Sequence, residues 1–199
     1  MNYNFAQQIN PYLESHNYAS AAQMIEQRIA ESTHRGFDNA LGVDLTPQSH
    51  ELALWIEDYY MEIAEGEVPV KALFLELNSF TEEFDKWYFN IFSYFFDGGT
   101  SEFEWLLDFD TDATYEEVFP LVDIDGVMEP FELFNILSQR QSVAQSIQDN
   151  HDWAEQLIIT RAAELVSAAH NKAKEYDLEW ADLPLYVSVK DYNFAVRTI

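Results

Sequence analysis

The sequence predicts an α+β protein, predominantly helical, with a small antiparallel β element near residues 103–109 and 185–196. Three observations carry this expectation. Residues 143–176 place Val143, Ile147, Ala154, Ile158, Arg161, Leu165 and Ala169 on one face at helical spacing. Residues 46–64 open on Thr46-Pro47, a helix-start pattern, and carry an apolar stripe of Leu52, Trp55, Ile56, Tyr59 and Ile63. The chain's end is rich in β-branched and aromatic residues over 185–189 and 194–196, with a turn at 191–193.

The other elements follow from local pattern. Helices are expected at 5–15 and 18–33. In the second, Ala21, Ala22, Ile25 and Ile29 share a face with the stem of Arg28. Gly36 and Gly42 bracket a loop, and Gly66 ends the helix begun at Thr46. Pro69 reads as the opening of another helix, with Ala72, Leu73, Leu77, Phe80 and Phe84 at helical spacing. Residues 87–96 are apolar or aromatic at eight of ten positions, so periodicity leaves a buried helix and a buried strand both open. Phe103, Trp105, Leu107 and Phe109 alternate with Glu104 and Asp108, the pattern of a short strand. Residues 108–125 are acidic and loop-like, and a helix is expected over 130–139. No internal repeat or low-complexity linker divides the chain, which reads as a single domain over 1–199.

Composition limits the chemistry. Hydrophobic residues make up 48% of the 199 and aromatics 16%, enough for a packed core. There is no Cys, hence no disulfide, thiolate metal site or thiol nucleophile. The first residues lack the basic and apolar run of a signal peptide. No apolar stretch reaches the roughly 18 residues that span a bilayer. A cytoplasmic protein is expected.

Charge is the dominant feature. There are 36 acids against 10 bases, a formal net charge of −26. It is uneven: residues 1–56 contribute −4, residues 57–132 contribute −19 and residues 133–199 contribute −3. Within 57–132, 21 acids meet only Lys71 and Lys86. Such self-repulsion opposes compactness, and ordinary surfaces intersperse both signs. An acidic surface also repels nucleic acid and anionic lipid, so neither is an expected direct ligand.

Motifs for catalysis or metal binding each lack a required residue. Residues 121–132 look like part of an EF-hand calcium loop, with Asp123, Asp125, Gly126 and Glu132 in the matching slots. Leu121, however, stands where the first ligand should be an acid. The bland alternative is an acidic turn using Gly126 for a positive φ. The run Asp108, Asp110, Asp112 lacks the glycine and has Phe119 in place of the bidentate Glu. His50-Glu51 begins like a zinc-protease helix, but position 54 is Leu rather than His. There is no nucleophile elbow and no phosphate-cradling glycine loop. No residue is assigned catalytic or metal work and no cofactor is expected. The aromatic block Phe84, Trp87, Tyr88, Phe89, Phe92, Tyr94, Phe95 and Phe96 lacks the bases of a base-stacking surface, so core packing is expected.

What remains is binding. Duplex DNA carries one negative charge per roughly 1.7 Å, and its partners expose cationic grooves for it. In charge and size the chain resembles phage and plasmid DNA-mimic inhibitors. The expected function is an acidic, anti-defence type inhibitor that presents carboxylates to a basic surface of a nucleic-acid-binding or nuclease protein. Two alternatives are an immunity protein neutralising a cognate toxin and a calcium-binding protein using the 121–132 loop. The carboxylates expected to face the partner are Glu57, Asp58, Glu62, Glu65, Glu82, Glu83, Asp108, Asp110, Asp112, Glu116 and Glu117. In the immunity reading, Trp105 and Tyr115 are expected to serve as specificity anchors. A homodimer would lengthen the acidic ridge.

Overall fold

The computed structural model describes residues 3–64, 68–78, 87–109, 117–122, 124–140, 142–190, 192 and 194–198. Among the described residues there are five α-helices and a five-stranded mixed sheet, so the α+β, mostly helical class holds. In chain order the elements are α1 (Tyr3–Glu14), α2 (Tyr18–Glu31), α3 (Ser49–Ala64), β1 (Ala72–Leu77), β2 (Tyr88–Tyr94), β3 (Phe119–Pro120), α4 (Asp125–Arg140), α5 (Gln145–Glu175), β4 (Leu185–Val189) and β5 (Val196–Thr198). Single 3-10 turns lie at Asp38–Ala40, Thr46–Gln48 and Glu104–Leu107.

Local chemistry sets the helix ends. His16, at φ 56°, and Asn17 break α1 from α2, and the Asn17 side chain accepts the Ser20 amide at 3.3 Å as an N-cap. Thr46-Pro47 does open the next helical segment, but as a 3-10 turn leading into α3. The capping oxygen is that of Asp44, which accepts the Thr46 amide at 2.9 Å and its hydroxyl at 2.7 Å. Buried Gln48 then ties this start to the chain entering α4: its Nε2 donates to the Val122 carbonyl at 3.3 Å and its Oε1 accepts the Val122 amide at 3.0 Å.

The sheet order is β3-β2-β1-β4-β5, with β1–β4 parallel and the other pairings antiparallel. Two sequence expectations change here. Residues 72–77 form the central strand rather than a helix after Pro69. Ala72, Leu73, Phe74, Leu75 and Leu77 are buried on both faces, and a strand covered on both faces loses the period-2 signal. Residues 103–109 form no strand, so the β element is not an antiparallel pairing of that stretch with the C-terminal strands. Leu106 turns inward within the 3-10 turn, where its carbonyl accepts the Tyr94 hydroxyl at 2.7 Å, while Leu107 is 81% exposed. The open choice at 87–96 resolves as strand β2.

One face of the sheet, carrying Leu73, Leu75, Phe89, Ile91 and Val187, packs on the helices in a continuous core. The other face, carrying Ala72, Phe74, Tyr94 and Tyr186, is covered by Leu106 with Phe103, Trp105 and Phe109. Helix α5 crosses the helical layer, packed against α2, α3 and the sheet. The aromatic block divides as packing requires: Trp87, Phe89 and Tyr94 are buried, Phe95 and Phe96 are exposed, and Phe84 lies outside the described residues.

Helix α4 begins five residues before the expected start and contains Pro130. Proline lacks the amide that would bond the carbonyl four residues back, that of Gly126. The Asn39 side chain supplies the donor instead, at 2.9 Å. The backbone over 125–132 is therefore helical, neither a wrapped calcium loop nor a left-handed turn at Gly126, whose φ is not positive. A methyl group at Gly126 would come no closer than 4.0 Å to Asn39. Gly126→Ala should accordingly stabilise the protein, by roughly 0.4–1 kcal/mol. Urea unfolding midpoints check this, and a loss of stability would indicate the left-handed turn.

Candidate functional site

The described acids fall on two sides of the sheet. On α3, in the helical layer, Asp58 and Glu62 are exposed one turn apart. Glu57 on the same helix is half-buried and engaged internally: its carboxylate accepts the Glu179 amide, at 3.1 Å from one oxygen, and fixes the turn after α5. Asp108 is exposed at the end of the 3-10 turn that covers the opposite face, and Glu117 is exposed just ahead of edge strand β3. Glu65, Glu82, Glu83, Asp110, Asp112 and Glu116 lie outside the described residues, as does Tyr115. Asp58 and Glu62 are thus brought together, and Asp108 is placed apart from them.

Trp105 packs inward. Its ring stands edge-on to Tyr94 and Tyr186, with centroids at 4.8 and 5.1 Å, and its Nε1 donates to the Gly99 carbonyl at 3.1 Å. It fastens the covering segment to the sheet. A second fastening is polar: the Tyr186 hydroxyl donates to Asp97, and Arg197 pairs with the same carboxylate at 3.3 Å. Burial and the adjacent Asp97 charge together push the Tyr186 phenol up, so it stays protonated as the donor.

The covering segment leaves a groove of about 810 Å³ on this outer face. Strands β1 and β2 provide its floor through Phe74 and Phe92, whose rings stack at 5.9 Å, and Phe109 closes on Phe92 at 4.6 Å. Residues 101–104, Leu106 and Leu107 form one wall, and residues 188–190 with Tyr192, Phe194 and Ala195 form the other. Glu76, Glu102 and Glu104 line it, against one base, Lys190. Sequence reasoning placed Glu104 only in an expected strand and missed the groove altogether, because its floor depends on reading 72–77 as a strand. The alternation Phe74, Glu76 on one strand face was the available signal.

A separate polar group is buried in the helical layer. His151, Asp152 and Glu155 on α5 bring one donor atom each within 4.8 Å of one another. Gln148 donates to Asp152 at 2.9 Å, and His151 Nδ1 lies 3.4 Å from the same oxygen. Phe134 of α4 stacks on the imidazole at 3.8 Å, while Phe37 and Phe131 approach at 5.5 and 5.2 Å. All three donors come from little more than one turn of a single helix. The group joins α5, α4 and the 37–40 turn through the ring contacts of His151, whose buried Nε2 lies 3.8 Å from Glu155 and makes no hydrogen bond. Burial works to raise the Asp152 carboxyl, but hydrogen bonds from His151 and Gln148 oppose it and the net is below the usual range. Burial raises Glu155 above its usual range.

A carboxyl raised in the folded state contributes stability that is full below its unfolded pKa and is lost as pH rises through the folded one. Glu155→Gln removes that loss. Relative to the native protein, the variant should therefore gain stability between mildly acidic and neutral pH. Thermal melts at the two pH values check this, and a variant that instead loses ground at neutral pH would show that the ionised carboxylate is favoured in the fold.

No protein-family model matches the chain, and no curated protein and no solved structure matches it either.

Proposed function

We propose that the protein binds a basic surface of a nucleic-acid-binding or nucleic-acid-cleaving protein, presenting carboxylates where that partner would otherwise meet phosphates. The observation that carries the reading is the charge: −26 overall, with 21 acids and two bases between residues 57 and 132. Exposed Asp58, Glu62, Asp108 and Glu117 belong to that stretch. Uncompensated charge of one sign draws an oppositely charged partner from a distance and speeds association. The same field repels nucleic acid, so the partner is a protein rather than DNA or RNA. No helix among the described residues is long and apolar enough to cross a membrane.

The calcium alternative loses its support with the helical backbone at 125–132. An inhibitor and a toxin-neutralising protein use the same device and differ in the partner, so the partner decides between them.

The test is capture of partners from source-cell lysate on the immobilised chain at low salt, followed by elution in a salt gradient. Retained proteins should elute as ionic strength rises, since exposed charges are screened beyond about 10 Å at 0.1 M salt. Duplex DNA should compete for them. Retention that ignores both salt and DNA would sink the reading. With a captured partner in hand, reversing Asp110, Asp112, Glu116 and Glu117 to Lys should slow association about tenfold or more and leave dissociation less changed. Stopped-flow or surface-plasmon kinetics measure this, and an unchanged association rate would remove those four acids from the binding face.

A further inference from the structure

We propose that the groove on the outer face of the sheet seats an extended cationic segment of the protein partner. Its Arg or Lys side chains would meet the acidic walls, and a large apolar side chain would rest on the aromatic floor. This rests on the binding reading above and names the partner's chemistry at one site.

Charge complementarity selects the occupant. Among the described residues, three carboxylates, Glu76, Glu102 and Glu104, line the groove beside one amine, that of Lys190. Such walls repel phosphates, so the exposed rings do not form a platform for bases, which needs surrounding Lys and Arg. They attract guanidinium groups, which pair with carboxylates through two parallel hydrogen bonds and also lie favourably over aromatic faces. Shape points the same way. The groove is a trough between the 101–107 segment on one side and residues 188–190, Tyr192 and Phe194 on the other, with strands as its floor, which suits an extended chain.

The apolar surface here is also unusually open. Leu107, on the groove wall, is 81% exposed, the most exposed large hydrophobic side chain among the described residues. It stands beside half-buried Phe92, Phe103 and Phe109. A concave aromatic floor with an exposed leucine at its edge is the arrangement of an interface core inside a polar rim. Exposed Leu54 and Met61 lie beside the α3 acids, but on a convex helix face rather than a concave floor, because Leu52, Ile56 and Tyr59 of that helix point into the protein core.

The experiment uses two fluorescein-labelled synthetic peptides, one alternating Arg with Trp and one with Ser in place of every Trp. Binding to the full chain is read by fluorescence anisotropy at low salt. The Arg/Trp peptide should bind about tenfold tighter than the Arg/Ser peptide. The double substitution Glu102→Lys/Glu104→Lys should weaken the Arg/Trp peptide about tenfold or more, and Leu107→Ser about threefold. Glu129→Lys/Glu132→Lys, on exposed positions of α4, changes the net charge equally and should leave affinity within about twofold. Should Glu102→Lys/Glu104→Lys disturb the circular-dichroism melt, the Gln pair at the same positions replaces it and should still weaken binding.

Equal loss from the two Lys pairs, or equal affinity for the two peptides, means undirected charge attraction. It overturns the groove while leaving the wider binding reading intact. No binding of either peptide to the native chain also overturns the groove. In that case the salt-gradient capture decides separately whether the wider reading survives.

Discussion

Helix α5 is buried along most of its 31 residues, and the rest of the fold is arranged to cover it. Leu157, Ile158, Leu165, Val166, Ala169 and Ala173 are essentially fully enclosed. Helices α2 and α3 lie against it, and the sheet closes another side. A helix hidden this thoroughly pairs some of its polar residues with its neighbours and leaves others, the Asn150 and Gln156 side-chain amides, without a hydrogen bond. Thr160 returns its hydroxyl to the Gln156 carbonyl at 2.8 Å. His170 reaches Thr198 on β5 and the Ala181 carbonyl, both at 2.8 Å, and burial holds its pKa down. The neutral imidazole thereby ties the end of α5 to the last strand. Trp180, with no exposed surface, donates to the Ala53 carbonyl at 3.2 Å and draws α3 onto the same end.

That arrangement also explains why the acidic surface stays uncompensated. Several of the few bases are engaged elsewhere. Arg161, half-buried on α5, holds Glu26 at 3.1 Å and Glu164 at 2.7 Å. Lys172 pairs with Glu175, and Arg35 pairs with Asp38. All four of those acids lie outside residues 57–132. Arg197 does pair within that stretch, but with Asp97, where it fastens the covering segment rather than screening the surface. The field of the acidic stretch therefore survives folding, at a cost in self-repulsion that a large buried core can offset.

Much of the helical part was legible from sequence because amphipathic spacing survives when one helix face meets solvent. Residues 18–33, 46–64 and 143–176 were read to within a few positions. Burial on both sides erased the signal at 72–77. At 103–109 the alternation came from a different cause, a short turn whose Leu106 and Trp105 pack inward while Leu107 faces out. Pro130 misplaced the start of α4, since only a remote side chain, Asn39, makes proline tolerable there. The acids that the sequence grouped into one run are parted by the sheet between them. Charge counting along the chain cannot reveal this, because the side of a sheet on which a residue emerges depends on strand register.

This parting bears on what a partner can engage. A single cationic groove meets one face of a rigid protein, so Asp58 and Glu62 on α3 and the carboxylates of the outer groove do not share one straight ridge. Carboxylates alone chiefly raise the rate of encounter, and a long-lived complex needs apolar side chains sealed from water at its centre. Among the described residues the outer face sets both together in a concave groove, with Glu102 and Glu104 beside Phe92, Phe109 and Leu107. The α3 acids are then suited to long-range attraction, which needs no contact, and the groove to the contact itself. A partner recognised in this way is chosen by a short sequence with both cationic and bulky apolar residues, a narrower requirement than general basicity.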